Sequence, residues 1–127
     1  MVELDFQKSG GLIPAVAQDW KSGEILMLAY ISPESWAETL RSGYATYFSR
    51  SRNKLWKKGE TSGHLQTVRQ ILVDCDLDTV IFKVEQAGPG ACHTGHRSCF
   101  FREVAGDQLQ EISETVFDVN QVYREQK

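Results

Sequence analysis

Leu12-Ile13-Pro14-Ala15-Val16-Ala17 and Glu24-Ile25-Leu26-Met27-Leu28-Ala29-Tyr30-Ile31 are apolar runs joined by Gln18-Asp19-Trp20-Lys21-Ser22-Gly23, and Ser32-Pro33-Glu34 follows directly. The two runs have strand composition, and the Asp, Ser and Gly between them suit a hairpin connection. Ser32 can cap free helical amides, Pro33 fits a first helical position, and Glu34 favours the positive end of the helix dipole. Trp36, Ala37 and Leu40 then supply an apolar stripe, and Ser42-Gly43 stops it. Working outward, Tyr44 to Ser49, Thr67 to Cys75 and Asp78 to Gln86 are aromatic or rich in Val and Ile, and are expected as strands. Ser98 to Val104 is expected to be extended, with a turn at Ala105-Gly106-Asp107, and the final twenty residues receive no assignment. The expected fold is α+β and predominantly β, a compact mixed-sheet domain with at least one peripheral helix.

A length of 127 residues, 41% hydrophobic and 24% charged, fits one domain over residues 1–127. The N-terminal residues lack the basic and apolar regions of a secretory signal, and Ile25 to Ile31 is too short to cross a bilayer. A soluble, cytoplasmic protein is expected. The formal net charge of −3 argues against a generic binder of nucleic acid or of anionic membranes. Locally, Arg50, Arg52, Lys54, Lys57 and Lys58 crowd one segment, which suits either a small anionic ligand or a solvated hairpin tip.

Ala91-Cys92-His93-Thr94-Gly95-His96-Arg97-Ser98-Cys99-Phe100 holds two of the three cysteines and two of the three histidines, and Cys75 lies within Asp74-Cys75-Asp76-Leu77-Asp78. An odd cysteine count argues against a disulfide framework and leaves buried thiols, redox chemistry or metal ligation. Cys92 and Cys99 lack the tight spacing of a zinc knuckle, yet their polar, glycine-containing surroundings do not look like core. Three thiolates leave a zinc position open for water, as catalytic sites require. They also make the site anionic, so a nearby base is useful: His93 is the first candidate and His96 the second, and either could instead be a fourth ligand. In an extended segment Asp74, Asp76 and Asp78 would share one face as all-oxygen ligands suited to magnesium; a polar turn is the other reading. Trp56 could stack on a heterocycle or be core, and the glycine turns around Lys57, Thr61 and Ser62 could cradle phosphate. A non-catalytic, zinc-stabilised binding module remains an alternative to an enzyme, and the lack of Cys-x-x-Cys counts against a thiol redox protein.

Three blocks, Leu55 to His64, Val73 to Asp78 and Ala91 to Phe100, closely resemble the phosphoribosyl-AMP cyclohydrolases of histidine biosynthesis in composition, order and approximate spacing. The resemblance runs from about Gly11 to about Arg102, although Gly88-Pro89-Gly90 looks slightly longer than the corresponding loop of many members. It implies an intimate homodimer with one zinc per subunit at the interface, taking Cys75 from one chain and Cys92 and Cys99 from the other. It further implies magnesium at Asp74, Asp76 and Asp78, proton transfer by His93, and phosphate contacts from Lys57, Thr61, Ser62 and Arg97. The implied reaction opens the N1–C6 bond of phosphoribosyl-AMP with zinc-activated water, giving the formimino carboxamide ribotide. A fused pyrophosphohydrolase domain, common in the family, is not expected here.

Overall fold

The structure is a computed structural model that describes residues 2–118. A short 3-10 turn at Gln7–Ser9 precedes β1 (Ile13–Asp19) and β2 (Ile25–Ile31), an antiparallel hairpin as the sequence suggests. Helix α1 (Pro33–Ser42) follows, then β3 (Thr46–Ser49), β4 (Lys54–Lys57), β5 (Gln66–Val73) and β6 (Val80–Gln86). These strands form one sheet in the order β4-β3-β2-β1-β6-β5, in which only β1 and β6 run parallel. A separate ribbon pairs β7 (Arg102–Ala105) with β8 (Gln108–Glu111).

The sheet curls until its ends approach. Before β3, the amide of Ala45 donates to Gln66 O at 3.0 Å, and the amide of Val68 donates to Gly43 O at 2.9 Å, linking β5 to the segment that leads into β3. The concave face and α1 enclose the core. Ile13, Ala15 and Ala17 of β1 alternate inward with Val80, Phe82 and Val84 of β6, joined by Leu26, Ile31, Trp36 and Tyr47. Each large apolar side chain buried there contributes about 1.5–3 kcal/mol.

The start and stop of α1 are those read from the sequence. Ser32 Oγ accepts from the Ser35 amide at 3.1 Å, Ser35 Oγ accepts from the Ser32 amide at 2.8 Å, and Gly43 closes the helix in the left-handed region at φ 80°. The expected apolar stripe is only partly right, because Leu40 is exposed. Ser35, Trp36 and Thr39 are buried instead, and the Thr39 hydroxyl accepts from the Thr46 amide at 2.9 Å, a polar tie from the helix to β3.

Two other expectations need correction, and one open reading is decided. Part of the basic loop is strand β4, whose Trp56 packs on Tyr47 with ring centroids 5.5 Å apart. Of Ser98 to Val104, only Arg102 onward is strand; the Ser98 hydroxyl and the Cys99 amide instead bond the carbonyls of Ile25 and Leu26 at 2.6 and 2.7 Å. Of the two readings of Asp74 to Asp78, the structure takes the polar turn, between β5 and β6, with Leu77 at φ 65° and Asp74 Oδ1 accepting from the amides of Asp78 and Thr79 at 3.0 and 3.2 Å. A short chain reversal at the end of a hairpin forces this geometry. Strand β8 falls in the unassigned final twenty residues, of which 119–127 lie outside the described residues. Among the described residues, no helix is long and apolar enough to cross a membrane.

Candidate active site and metal-binding residues

Two loops leave the same end of the sheet, one joining β4 to β5 and the other following β6. Between them and β2 lies a cleft of about 530 Å³, lined by residues that include Met27, Trp56, Lys58, Thr61, Ser62, His93 and Cys99. Trp56, Thr61, Ser62, His93 and Cys99, read from the sequence as site residues, thus converge on one concave surface with Arg52 and Lys58 of the basic segment.

The spacing of Cys92 and Cys99 is explained by the folding of the second loop onto itself. The amides of Ala91 and Cys92 donate to the carbonyls of Arg97 and His96 at 2.8 and 3.1 Å, and Gly95 N donates to Cys92 O at 3.1 Å. This reversal brings the Cys99 thiol close enough to Cys92 for the two to interact, while Cys92 Sγ lies 2.8 Å from Thr94 Oγ1. Gly90 permits the close approach, since a Cβ there would lie 2.6 Å from His96 O.

Burial, then the charge and hydrogen bond of Cys92, push the Cys99 thiol up to about 12, and the Lys58 ammonium opposes the shift. Two adjacent thiolates in a partly dry site need more positive charge than one ammonium supplies, a donor chemistry that suits zinc. Lys58, buried beneath the cleft, donates to the carbonyl of Ala91. Burial pushes its own ammonium down, while Cys99 and Cys92 pull it up. Nothing in the local sequence distinguishes Lys58 from its neighbour Lys57; the strand register does. Lys57 lies over the Tyr44 ring at 5.5 Å, outside the cleft lining, whereas Lys58 turns under Trp56.

Arg97 also lies outside this lining. Its guanidinium donates to Glu24 Oε1 at 2.7 Å and to Asp19 Oδ1 at 3.0 Å, pinning the cysteine loop to the β1–β2 hairpin. His96 is buried, stacked on Phe101 with centroids 3.6 Å apart, and its Nδ1 lies 3.2 Å from Ser113 Oγ. His93 is exposed at the cleft.

All three cysteines are free, and Cys75 is exposed in the β5–β6 turn. Among the described residues, Cys75, Cys92 and Cys99 do not gather into one ligand cluster within the chain; Asp74, Asp76 and Asp78 do gather, with ligand oxygens within 4.8 Å of one another. Hydrogen bonds among these carboxyl groups, first with Asp76, hold the Asp78 carboxyl above its ordinary range, and those from Asp78 and Asp74, followed by Lys8, hold Asp76 below it. The turn therefore achieves what an extended segment was expected to do, and an oxygen-only set of this kind suits a hard divalent cation.

The family model for phosphoribosyl-AMP cyclohydrolase matches residues 27–101, a span holding the cleft and all three cysteines. A phosphoribosyl-AMP cyclohydrolase from Desulfatibacillum aliphaticivorans is 59% identical over 124 residues, covering 98% of this chain and 99% of the relative. Enzymes of the same name from Desulforapulum autotrophicum and Desulfotalea psychrophila are each 61% identical, covering 98% and 97% of this chain and 100% and 98% of the relatives. With the model matching more than half of its length and relatives of this identity matching nearly all of it, the chain belongs to the phosphoribosyl-AMP cyclohydrolase family.

Proposed function

We propose that this protein is a zinc-dependent phosphoribosyl-AMP cyclohydrolase of histidine biosynthesis that hydrolyses the N1–C6 bond of the purine ring. The observation that carries the reading is the convergence of Trp56, Thr61, Ser62, His93 and Cys99 on one cleft with Cys92 beneath it. Zinc held by Cys92, Cys99 and a third thiolate would supply Lewis-acid activation of water near neutral pH. Trp56 offers an aromatic face for the purine, and the hydroxyls of Thr61 and Ser62 offer donors to phosphate. Lys57 and Arg97 line no part of their own chain's cleft, so Thr61 and Ser62 are the stronger phosphate assignments. The His93 imidazole takes a proton from the attacking water and returns it to N1 as the C6–N1 bond breaks, so one water is consumed and the exocyclic amine is retained.

The third thiolate is Cys75 of a second copy. Support comes from its exposure and its separation from the other two thiols within the chain. Further support comes from the β7–β8 ribbon, every residue of which is exposed, with Val104 at 75% and Leu109 at 59%. An isolated two-stranded ribbon is marginally stable in water, and such apolar exposure suits burial against another subunit. Asp74, Asp76 and Asp78 of the same turn would bind magnesium and help to position the anionic substrate.

The alternative, a closed zinc module without turnover, needs a fourth protein ligand. His96 is engaged with Phe101 and Ser113, which disfavours it for that role. Incubation with phosphoribosyl-AMP decides between the two, followed by the absorbance of the ring-opened product before and after zinc chelation. Chelator-sensitive turnover is expected, with a fall of about 10²-fold or more in His93→Ala that retains zinc. Stoichiometric zinc without turnover would establish the binding module instead.

A further inference from the structure

Beneath the cleft runs a buried polar chain that the proposed chemistry does not use. The Tyr47 hydroxyl donates to Gln66 Oε1 at 2.7 Å, Gln66 Nε2 donates to Gln86 Oε1 at 2.9 Å, and Gln86 Nε2 donates to the carbonyls of His64 and Ala87 at 2.8 and 3.0 Å. Tyr47 and Gln66 are fully buried, and Gln66 faces Gln86 directly across the β5–β6 ladder. The polarity of the chain is fixed. Carbonyls only accept, so the Gln86 nitrogen must face His64 and Ala87; its oxygen must then face the Gln66 nitrogen, and the Gln66 oxygen must face the Tyr47 hydroxyl.

The far end of this chain lies where the two cleft loops meet. His64 lies next to the end of the loop that carries Lys58, Thr61 and Ser62, and Ala87 begins the loop that carries Cys92, His93 and Cys99. Around that junction Ala87 N donates to Leu65 O at 2.7 Å, and His64 Nδ1 lies 3.1 Å from Gly90 O. There is no slack: a Cβ on Gly88 would lie 2.3 Å from the His64 ring, and one on Gly59 would lie 2.4 Å from the His64 carbonyl carbon. At its near end Tyr47 packs on Trp56, a wall of the cleft.

We propose that Gln66 and Gln86 are positioning residues that fix one cleft loop against the other, setting where Thr61 and Ser62 hold substrate relative to His93 and Cys99. The inference rests on the reading of the cleft as the active site. A buried glutamine on an otherwise apolar sheet face costs stability unless every polar atom is paired, and among the described residues none of the buried side-chain polar atoms lacks a partner. Two amides in series transmit the rigid Tyr47 hydroxyl position to the backbone of both loops. A displacement of about 1 Å between substrate and reacting groups is enough to cost about 10²-fold in rate.

Two variants test this, assayed well below their melting temperatures. Gln86→Leu removes both carbonyl contacts at a half-buried site. Tyr47→Phe combined with Gln66→Leu replaces a bonded pair by apolar groups of similar shape, a change that tends to spare stability, while leaving Gln86 without its donor. For both, kcat is expected to fall about 10- to 100-fold with a smaller change in KM, and the double variant is expected to melt closer to wild type than Gln66→Leu alone. Wild-type kcat and KM in whichever variant folds would reduce the glutamines to core filling and overturn the proposal. His93→Ala and Thr61→Ala are measured in parallel. If these also leave turnover unchanged, the cleft is not the active site; if they lose turnover while the glutamine variants do not, only the positioning claim fails.

Discussion

Carboxylates at Asp74, Asp76 and Asp78 with oxygens within 4.8 Å of one another require a counter-charge, and within the chain the Lys8 ammonium supplies it. Lys8 Nζ bonds the Asp76 carbonyl at 3.0 Å and lies 3.4 and 3.5 Å from carboxylate oxygens of Asp76 and Asp78. A divalent cation bound there as proposed would have to compete with it. Lys8→Gln is expected to tighten magnesium binding about two- to tenfold by titration calorimetry, the modest scale of exposed ion pairs; unchanged affinity would show that the ammonium does not occupy the cation's place. Asp19 illustrates a second single-residue effect. Hydrogen bonds from Ser22, opposed by burial and aided by the Lys21 amide and the Arg97 charge, hold its carboxyl below the ordinary aspartate value. The unfolded chain therefore binds this proton more readily. The contribution to stability is complete above about pH 4 and is lost as pH falls through the lower folded value. Asp19→Asn should flatten the acid limb of a melting-temperature profile, and an unaltered limb would show that this carboxylate is not linked to folding.

At the scale of elements, α1 shows why some structure is legible in the sequence. Its signals, Ser32, Pro33 and Gly43, act within a few residues of the helix ends, and all operate as read. Ser32→Ala should cost about 1 kcal/mol in urea unfolding, with no change in the denaturant dependence; a loss of only a few tenths would mean that Ser35 and Pro33 alone suffice to start the helix. Strand β4 was hidden because its lysines read as a solvated tip, whereas the strand is fixed by pairing with β3 and by Trp56 against Tyr47. The aspartate segment admits two readings from sequence, an extended face of carboxylates or a polar turn, and the structure takes the turn while still gathering the carboxylates. Asp74 caps the turn amides with its own Oδ1. Within the site, the cysteines, His93, Thr61 and Ser62 were legible as residue types at recurring positions. The buried place of Lys58 and the Tyr47–Gln66–Gln86 chain were not, because their partners, Ala91 and Cys99 for Lys58 and His64 at the end of the chain, are supplied by distant segments of sequence.

At the scale of the whole molecule, one chain presents a pair of adjacent thiols at the cleft and an exposed third thiol in a turn that does not join them, the arrangement the proposed shared site would complete. The ribbon of β7 and β8 bears exposed Val104 and Leu109, apolar surface that the proposed second copy would cover. Ligands supplied by two copies would tie metal binding, assembly and turnover together. Size-exclusion chromatography with light scattering should give a dimer mass, and a monomer with full zinc content would separate the metal site from assembly. The most direct measurement mixes Cys75→Ala with Cys99→Ala, each inactive alone, after subunit exchange has been verified with differently tagged chains. Sharing between chains leaves one intact site in each mixed dimer, so an equimolar statistical mixture should recover about a quarter of the wild-type zinc content and turnover. No recovery of either, despite complete exchange, would contradict the shared site.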